Sequence, residues 1–130
     1  MAKLQKKLYK YTAFENCLYY YHKYSCKRRE IKNKLTKEQF ITLSKGKCFY
    51  CNKSPSTKFN NKRPNGKKRY KGWYKVNGID RLDNDKGYTV DNCVPCCPLH
   101  NFIKGDAKFK DFELIYLSWK KAIDQKIDKK

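Results

Sequence analysis

Apolar residues recur at helical spacing over residues 12–32, where Phe14, Leu18 and Tyr21 fall on one face and Lys27, Arg28 and Arg29 gather near the end. That period, with cations at the C-terminal turn, predicts a helix. A second helix is predicted in "LTKEQFITLSKG". Thr36 with Gln39 three residues on makes a capping box, Phe40 and Leu43 share a face, and Gly46 supplies a stop. "WYKVNGID" and "YTVDNCVP" read as two strands joined by the polar turn "LDNDKG". Proline is favoured at the first helical position, so Pro98 opens a helix in "CPLHNFIK" with Cys97 as its cap and His100 and Asn101 in its first turn. A final helix, 108–126, carries Phe112, Ile115, Tyr116 and Trp119 at helical spacing and is expected to bury them as core.

These elements describe an α+β chain of one domain, residues 1–130, with a helical lead-in (12–45), a central knuckle and hairpin (48–105) and a C-terminal helix (108–126). Between the knuckle and the hairpin, residues 52–72 are punctuated by Pro, Gly and Asn and loaded with Lys and Arg, which predicts a long basic loop.

Charge sharpens the picture. The chain holds 32 Lys and Arg against 12 Asp and Glu, a formal net charge of +20. Such a field favours a polyanion, and nucleic acid is the commonest. A membrane surface is the rival, but no apolar run is long enough to span a bilayer and no signal-peptide core is present. The expectation is a soluble, intracellular protein. Within the loop, Arg63, Lys67, Lys68 and Arg69 are the expected phosphate contacts, and Trp73 can stack on or wedge between bases.

With a mean hydropathy of −1.00, apolar burial alone looks thin, and a structural metal would supply stability. Seven cysteines in an intracellular chain read better as metal ligands than as disulfides. Cys48 and Cys51 in "CFYC" form a C-x2-C knuckle suited to a tetrahedral zinc. Two pairs can complete it: Cys93 with Cys96, or Cys97 with His100. The second is preferred. It straddles a helix start, where N–H groups and the helix dipole favour a thiolate, whereas the odd spacing of Cys93 and Cys96 on a strand sends their side chains to opposite faces. Four protein ligands would close the sphere and make this zinc structural. His22, Cys17 and Cys26 have no evident metal partner.

The strings "CFYC", "GIDRLDNDKGYTVDNC" and "CCPLHN" together resemble the HNH (ββα-metal) endonucleases, over roughly residues 24–120. The resemblance implies a zinc-stapled hairpin and helix, flanking helices, and metal-dependent hydrolysis of phosphodiesters in double-stranded DNA. By position, Asp80 matches the carboxylate that binds the catalytic Mg²⁺ or Mn²⁺, and Asn101 the residue that completes that site. Asn92 matches the asparagine holding the hairpin loop, and Cys48, Cys51, Cys97 and His100 match the zinc ligands.

One position departs from the common pattern. Most relatives carry a histidine base after the metal aspartate, and here stands Arg81, as in some restriction enzymes of the superfamily. Arginine stays protonated, so it cannot abstract a proton, but its planar fork suits a phosphoryl group. Tyr50 is the first candidate base, on the expectation that Arg81 and a divalent ion lower its pKa; Asp83 and a metal-bound hydroxide are the others. The rival functions are a zinc-stabilised module that binds nucleic acid without cutting it, and an RNA-binding protein indicated by charge alone. A homodimer would suit double-strand cleavage at a palindrome.

Overall fold

The computed structural model describes residues 10–58, 64–67 and 75–128. Helix α1, Ala13–Arg28, starts at a capping box in which Thr12 accepts from the Glu15 N–H and Glu15 reaches back to the Thr12 N–H. It stops at Arg28, short of the expected 32. Glu30 takes a left-handed φ of 56° and the Ile31 N–H returns to the Cys26 carbonyl at 2.9 Å, turning the chain off the helix axis. Helix α2, Lys37–Ser44, has the predicted Thr36–Gln39 box, with both bonds present at 3.2 and 3.0 Å.

The two helices meet over a small core of Cys26, Leu35, Phe40, Ile41, Tyr88 and Cys93, flanked by Leu18, Tyr19, Ile31, Leu43 and Ile79. His22 is a packing residue here. It stacks on Phe40, meets the edge of Tyr88 and shares a hydrogen bond with Asn33.

Four short strands follow among the described residues. β1, Thr57–Lys58, pairs antiparallel with β2, Lys75–Val76, so the basic segment expected to be all loop contains a strand end. β3, Gly78–Arg81, pairs antiparallel with β4, Cys93–Cys96, setting Asp80 opposite Val94 and Arg81 opposite Cys93. The strand predicted across "WYKVNGID" is thus split at Asn77. This buried residue donates its N–H to the Ser44 carbonyl at 2.8 Å and its amide to the Gly46 carbonyl at 2.9 Å, stitching the hairpin to the end of α2. Arg63, Lys68, Arg69 and Trp73 lie outside the described residues.

The second predicted strand starts later than "YTVDNCVP" suggests, because Val90–Asn92 forms a 3-10 turn. Asn92 causes the delay. Its Oδ1 accepts from the Asp83 N–H at 2.9 Å, and its Nδ2 donates to the carbonyls of Asp83 at 3.0 Å and Gly87 at 2.9 Å. One buried side chain therefore closes the whole 83–92 loop. Asn92→Ala would leave buried backbone groups unpaired and is expected to cost about 3 kcal/mol, read as a lower urea midpoint with an unchanged m-value. At Gly87 the chain passes so close to α1's exit that a Cβ would sit 2.4 Å from the Lys32 carbonyl oxygen.

Helix α3, Pro98–Lys104, has Cys97 as N-cap and Pro98 in its first turn, as the sequence predicts. Helix α4, Phe109–Asp128, follows. Its apolar positions are not core as expected. Ile115, Tyr116 and Trp119 are 39%, 54% and 56% exposed, and Phe112 is half-buried beside Tyr50. Helical periodicity identifies an amphipathic face without saying what covers it. Among the described residues, no helix is long and apolar enough to cross a membrane.

Candidate active site

The knuckle is shaped by backbone before any metal enters. The Cys48 N–H bonds the Lys53 carbonyl, the Asn52 N–H returns to the Cys48 carbonyl, and Asn52 takes a φ of 60° to close the turn. The Phe49 N–H reaches the Pro95 carbonyl at 2.8 Å, pinning the knuckle onto β4 next to the start of α3. The ligand atoms of Cys48, Cys51, Cys97 and His100 then lie within 4.8 Å of one another.

This donor set fits zinc. The Cys51 and Cys97 sulfurs are 3.8 Å apart, the edge of a tetrahedron with Zn–S bonds of about 2.3 Å. Burial works to raise the Cys48 thiol, but N–H groups of Cys97, Cys51 and Tyr50 outweigh it and bring the pKa down to about 7. At Cys51 the Lys53 N–H works to lower the thiol, but desolvation and the Cys48 and Cys97 sulfurs outweigh it and raise the pKa. Burial pushes Cys93 up to about 11 and Cys96 up to about 12, leaving neutral thiols at the two ends of β4.

Beside this cluster lies a polar cavity of about 240 Å³, lined by Arg29, Asp80, Arg81, Asn84, Asn101 and Asp106 among others. β3 supplies Asp80 and α3 supplies Asn101, so the cavity sits where the hairpin meets the helix that carries Cys97 and His100 at its start. Asp80 is only 5% exposed. Its carboxylate accepts from the Tyr50 hydroxyl at 2.6 Å and from the Lys104 ammonium at 3.0 Å on Oδ1 and 2.8 Å on Oδ2.

Arg81 is tied to the hairpin. Its Nη1 donates to the carbonyls of Asn84 and Lys86, and the guanidinium lies over the Tyr88 ring at 5.2 Å. Arg29 donates to the Tyr88 hydroxyl and brings a second guanidinium to the cavity wall.

Tyr50 differs from expectation. It stacks on His100, with ring centroids 5.7 Å apart, and its pKa is raised rather than lowered, first by burial and then by donating to and facing the Asp80 carboxylate. Burial and the facing carboxylate both make this phenol a weaker acid than usual. Tyr50 is a hydrogen-bond donor to Asp80, and both burial and that carboxylate work against its use as a base. Lys104 was not legible as a site residue, because a lysine at a helix end reads as a solvated group suited to the dipole. Asp106 was missed for a similar reason, standing just past a glycine in a polar turn. Of the expected DNA contacts, Lys67 is described and exposed, with its N–H bonded to the Asn65 side chain.

The rare-cutting HNH restriction endonuclease PacI superposes with a TM-score of 0.51, covering 82% of this chain and 77% of that one at 22% sequence identity. The fold is HNH-like. No family model matches the sequence. An uncharacterized protein of Acanthamoeba polyphaga mimivirus is 33% identical over 78 residues, which cover 60% of this chain and 12% of that protein's length.

Proposed function

We propose that this chain is a metal-dependent endonuclease that hydrolyses phosphodiester bonds in double-stranded DNA, with a structural zinc at Cys48, Cys51, Cys97 and His100. The observation that carries the reading is the meeting of Asp80 and Asn101 in one polar cavity beside the zinc ligands. A module that only binds nucleic acid has no use for hard oxygen donors at that place. PacI, the structural neighbour, is an HNH restriction endonuclease, and the likeness in fold adds support.

The donor set suits Mg²⁺ or Mn²⁺, with the Asp80 carboxylate and the Asn101 amide oxygen as ligands. Such an ion, when bound, would polarise the scissile phosphate and stabilise the leaving oxygen. The chain's own groups do the rest. Tyr50 holds the carboxylate in its orientation through the 2.6 Å bond, and Asn92 keeps the loop after β3 closed. Arg29 and Arg81 give the cavity two cationic walls, which attract a phosphate and balance charge growing on its oxygens. Water attacking phosphorus has to give up a proton, and the exposed carboxylate of Asp106 is the acceptor at hand in the cavity.

A second reading is favoured by one observation. The Lys104 ammonium already sits on both Asp80 oxygens, as it would in a zinc-stabilised nucleic-acid-binding module that has lost its catalytic metal. The two are separated by incubating the pure chain with supercoiled plasmid and Mg²⁺ or Mn²⁺. Nicked or linear product that disappears in Asn101→Ala is expected, and intact plasmid across varied DNA would favour the silent module. Either way, a net charge of +20 predicts steep salt dependence of DNA binding. Affinity should fall by roughly 10³-fold between 50 and 200 mM salt. A nearly flat response in a filter-binding or anisotropy titration would remove the electrostatic part of the proposal.

A further inference from the structure

Lys104 is the buried lysine among the described residues, and it is buried against the carboxylate that lines the cavity. An ammonium has three N–H donors, and three acceptors meet it here: Asp80 Oδ1 at 3.0 Å, Asp80 Oδ2 at 2.8 Å and the Arg81 carbonyl at 2.6 Å. The paired side chains are 2% and 5% exposed. Taking both charges out of water is costly, and a bridge wanted only for packing could be apolar without loss. With 2% of its side chain exposed, Lys104 is also no DNA contact as it stands.

The geometry points to Lys104 as a tethered cation that holds the seat beside Asp80, so that a divalent ion gains this carboxylate only as the ammonium withdraws. The inference rests on reading Asp80 as a ligand of that ion. Asp80 Oδ2 already accepts two hydrogen bonds and Oδ1 one, all from groups that a cation on the same carboxylate would crowd or repel.

An intramolecular competitor lowers apparent affinity by the fraction of time the seat is open. Two features give the ammonium somewhere to go. Gly105 follows directly with a φ of 51°, a joint free of side-chain restriction, and Asp106 offers an anion at the wall of the same cavity. Zinc is unaffected, since its ligands lie at Cys48, Cys51, Cys97 and His100. The consequence is a site that stays closed at low divalent-ion concentration, with its own charge neutralised.

Titration calorimetry of Mn²⁺ into the zinc-loaded full chain tests this. Lys104→Met should bind Mn²⁺ roughly 10-fold or more tightly than the unmutated chain. Lys104→Arg, which keeps a cation, should not, and adding Asp80→Asn to Lys104→Met should abolish the gain. A Lys104→Met chain that keeps its zinc and its cooperative melting, yet binds Mn²⁺ no more tightly, overturns the proposal. Should that variant fail to fold, the unmutated chain decides. Reductive methylation of Lys104, followed by mass spectrometry, should be slow without divalent ion and several-fold faster at saturating Mn²⁺. Protection that is unchanged at saturation overturns the proposal equally. Tightened Mn²⁺ binding with no plasmid cleavage by any form would sink the nuclease reading and leave this one standing.

Discussion

Stripping zinc from this protein should unfold it. Among the described residues the hydrophobic core cluster contains six buried residues, three of them aliphatic or phenylalanine, alongside two cysteines and a tyrosine. A structural zinc contributes about 10–16 kcal/mol of apparent binding free energy, comparable with the entire stability of an ordinary domain at about 5–15 kcal/mol. The four candidate ligands also come from distant parts of the chain, 46 residues apart between Cys51 and Cys97, so a zinc held there would close a long loop and fasten the knuckle to the start of α3. Treatment with a strong chelator, or Cys48→Ser or Cys97→Ser, should abolish the near-UV circular dichroism signal and the cooperative thermal transition. Metal analysis should find about one zinc per folded chain. Acid should act in the same direction, because protons compete for the thiolates and the imidazole. A chelated chain that still melts cooperatively at an unchanged temperature would show that the knuckle is ornamental.

Replacing Asp80 should be the second large effect, and it should appear in two observables at once. In Asp80→Ala the Lys104 ammonium, 2% exposed, loses both of its carboxylate acceptors, and the Tyr50 hydroxyl loses its own. Breaking one side of a buried pair costs about 3–5 kcal/mol, since an uncompensated charge stays behind. Cleavage of plasmid DNA should also fall by about 10²-fold or more, the scale of removing a group that stabilises the transition state. The two effects separate in the double variant. Asp80→Asn with Lys104→Met removes the charge along with its partner, so most of the stability should return to the urea melt while cleavage stays lost. Recovery of cleavage along with stability would mean that Asp80 acts only through packing.

Much of this framework is readable from local chemistry. Thr36 with Gln39, Pro98 after Cys97, and the C-x2-C of Cys48 and Cys51 each act within a few residues, so the sequence states them directly. The choice of Cys97 and His100 over Cys93 and Cys96 also follows from short-range geometry, because alternation along β4 separates the latter pair. What sequence could not state is anything decided across the fold. Asn77 reads as one more strand residue until the end of α2 is known to lie against it. Tyr50 looked activated when only cationic neighbours were counted, and its burial beside Asp80 pulls the pKa upward instead. Lys104 carries no local signal at all, since 24 residues separate it from the carboxylate it meets. The apolar face of α4 follows the same rule from the other side: spacing revealed the stripe, and only the fold shows that Ile115, Tyr116 and Trp119 on it stay exposed.

Helix α3 has a further consequence. At seven residues it is far too short to persist alone in water, and its N-cap residue makes no side-chain capping bond. It is held instead like a rung between two posts: the Cys97 sulfur in the three-cysteine, one-histidine cluster at one end, the Lys104 ammonium on β3 at the other. Asn101 lies between them, so its aim is set by two anchorages at the helix ends rather than by the helix's own cohesion. Loosening either post tilts the rung, and the amide swings with it.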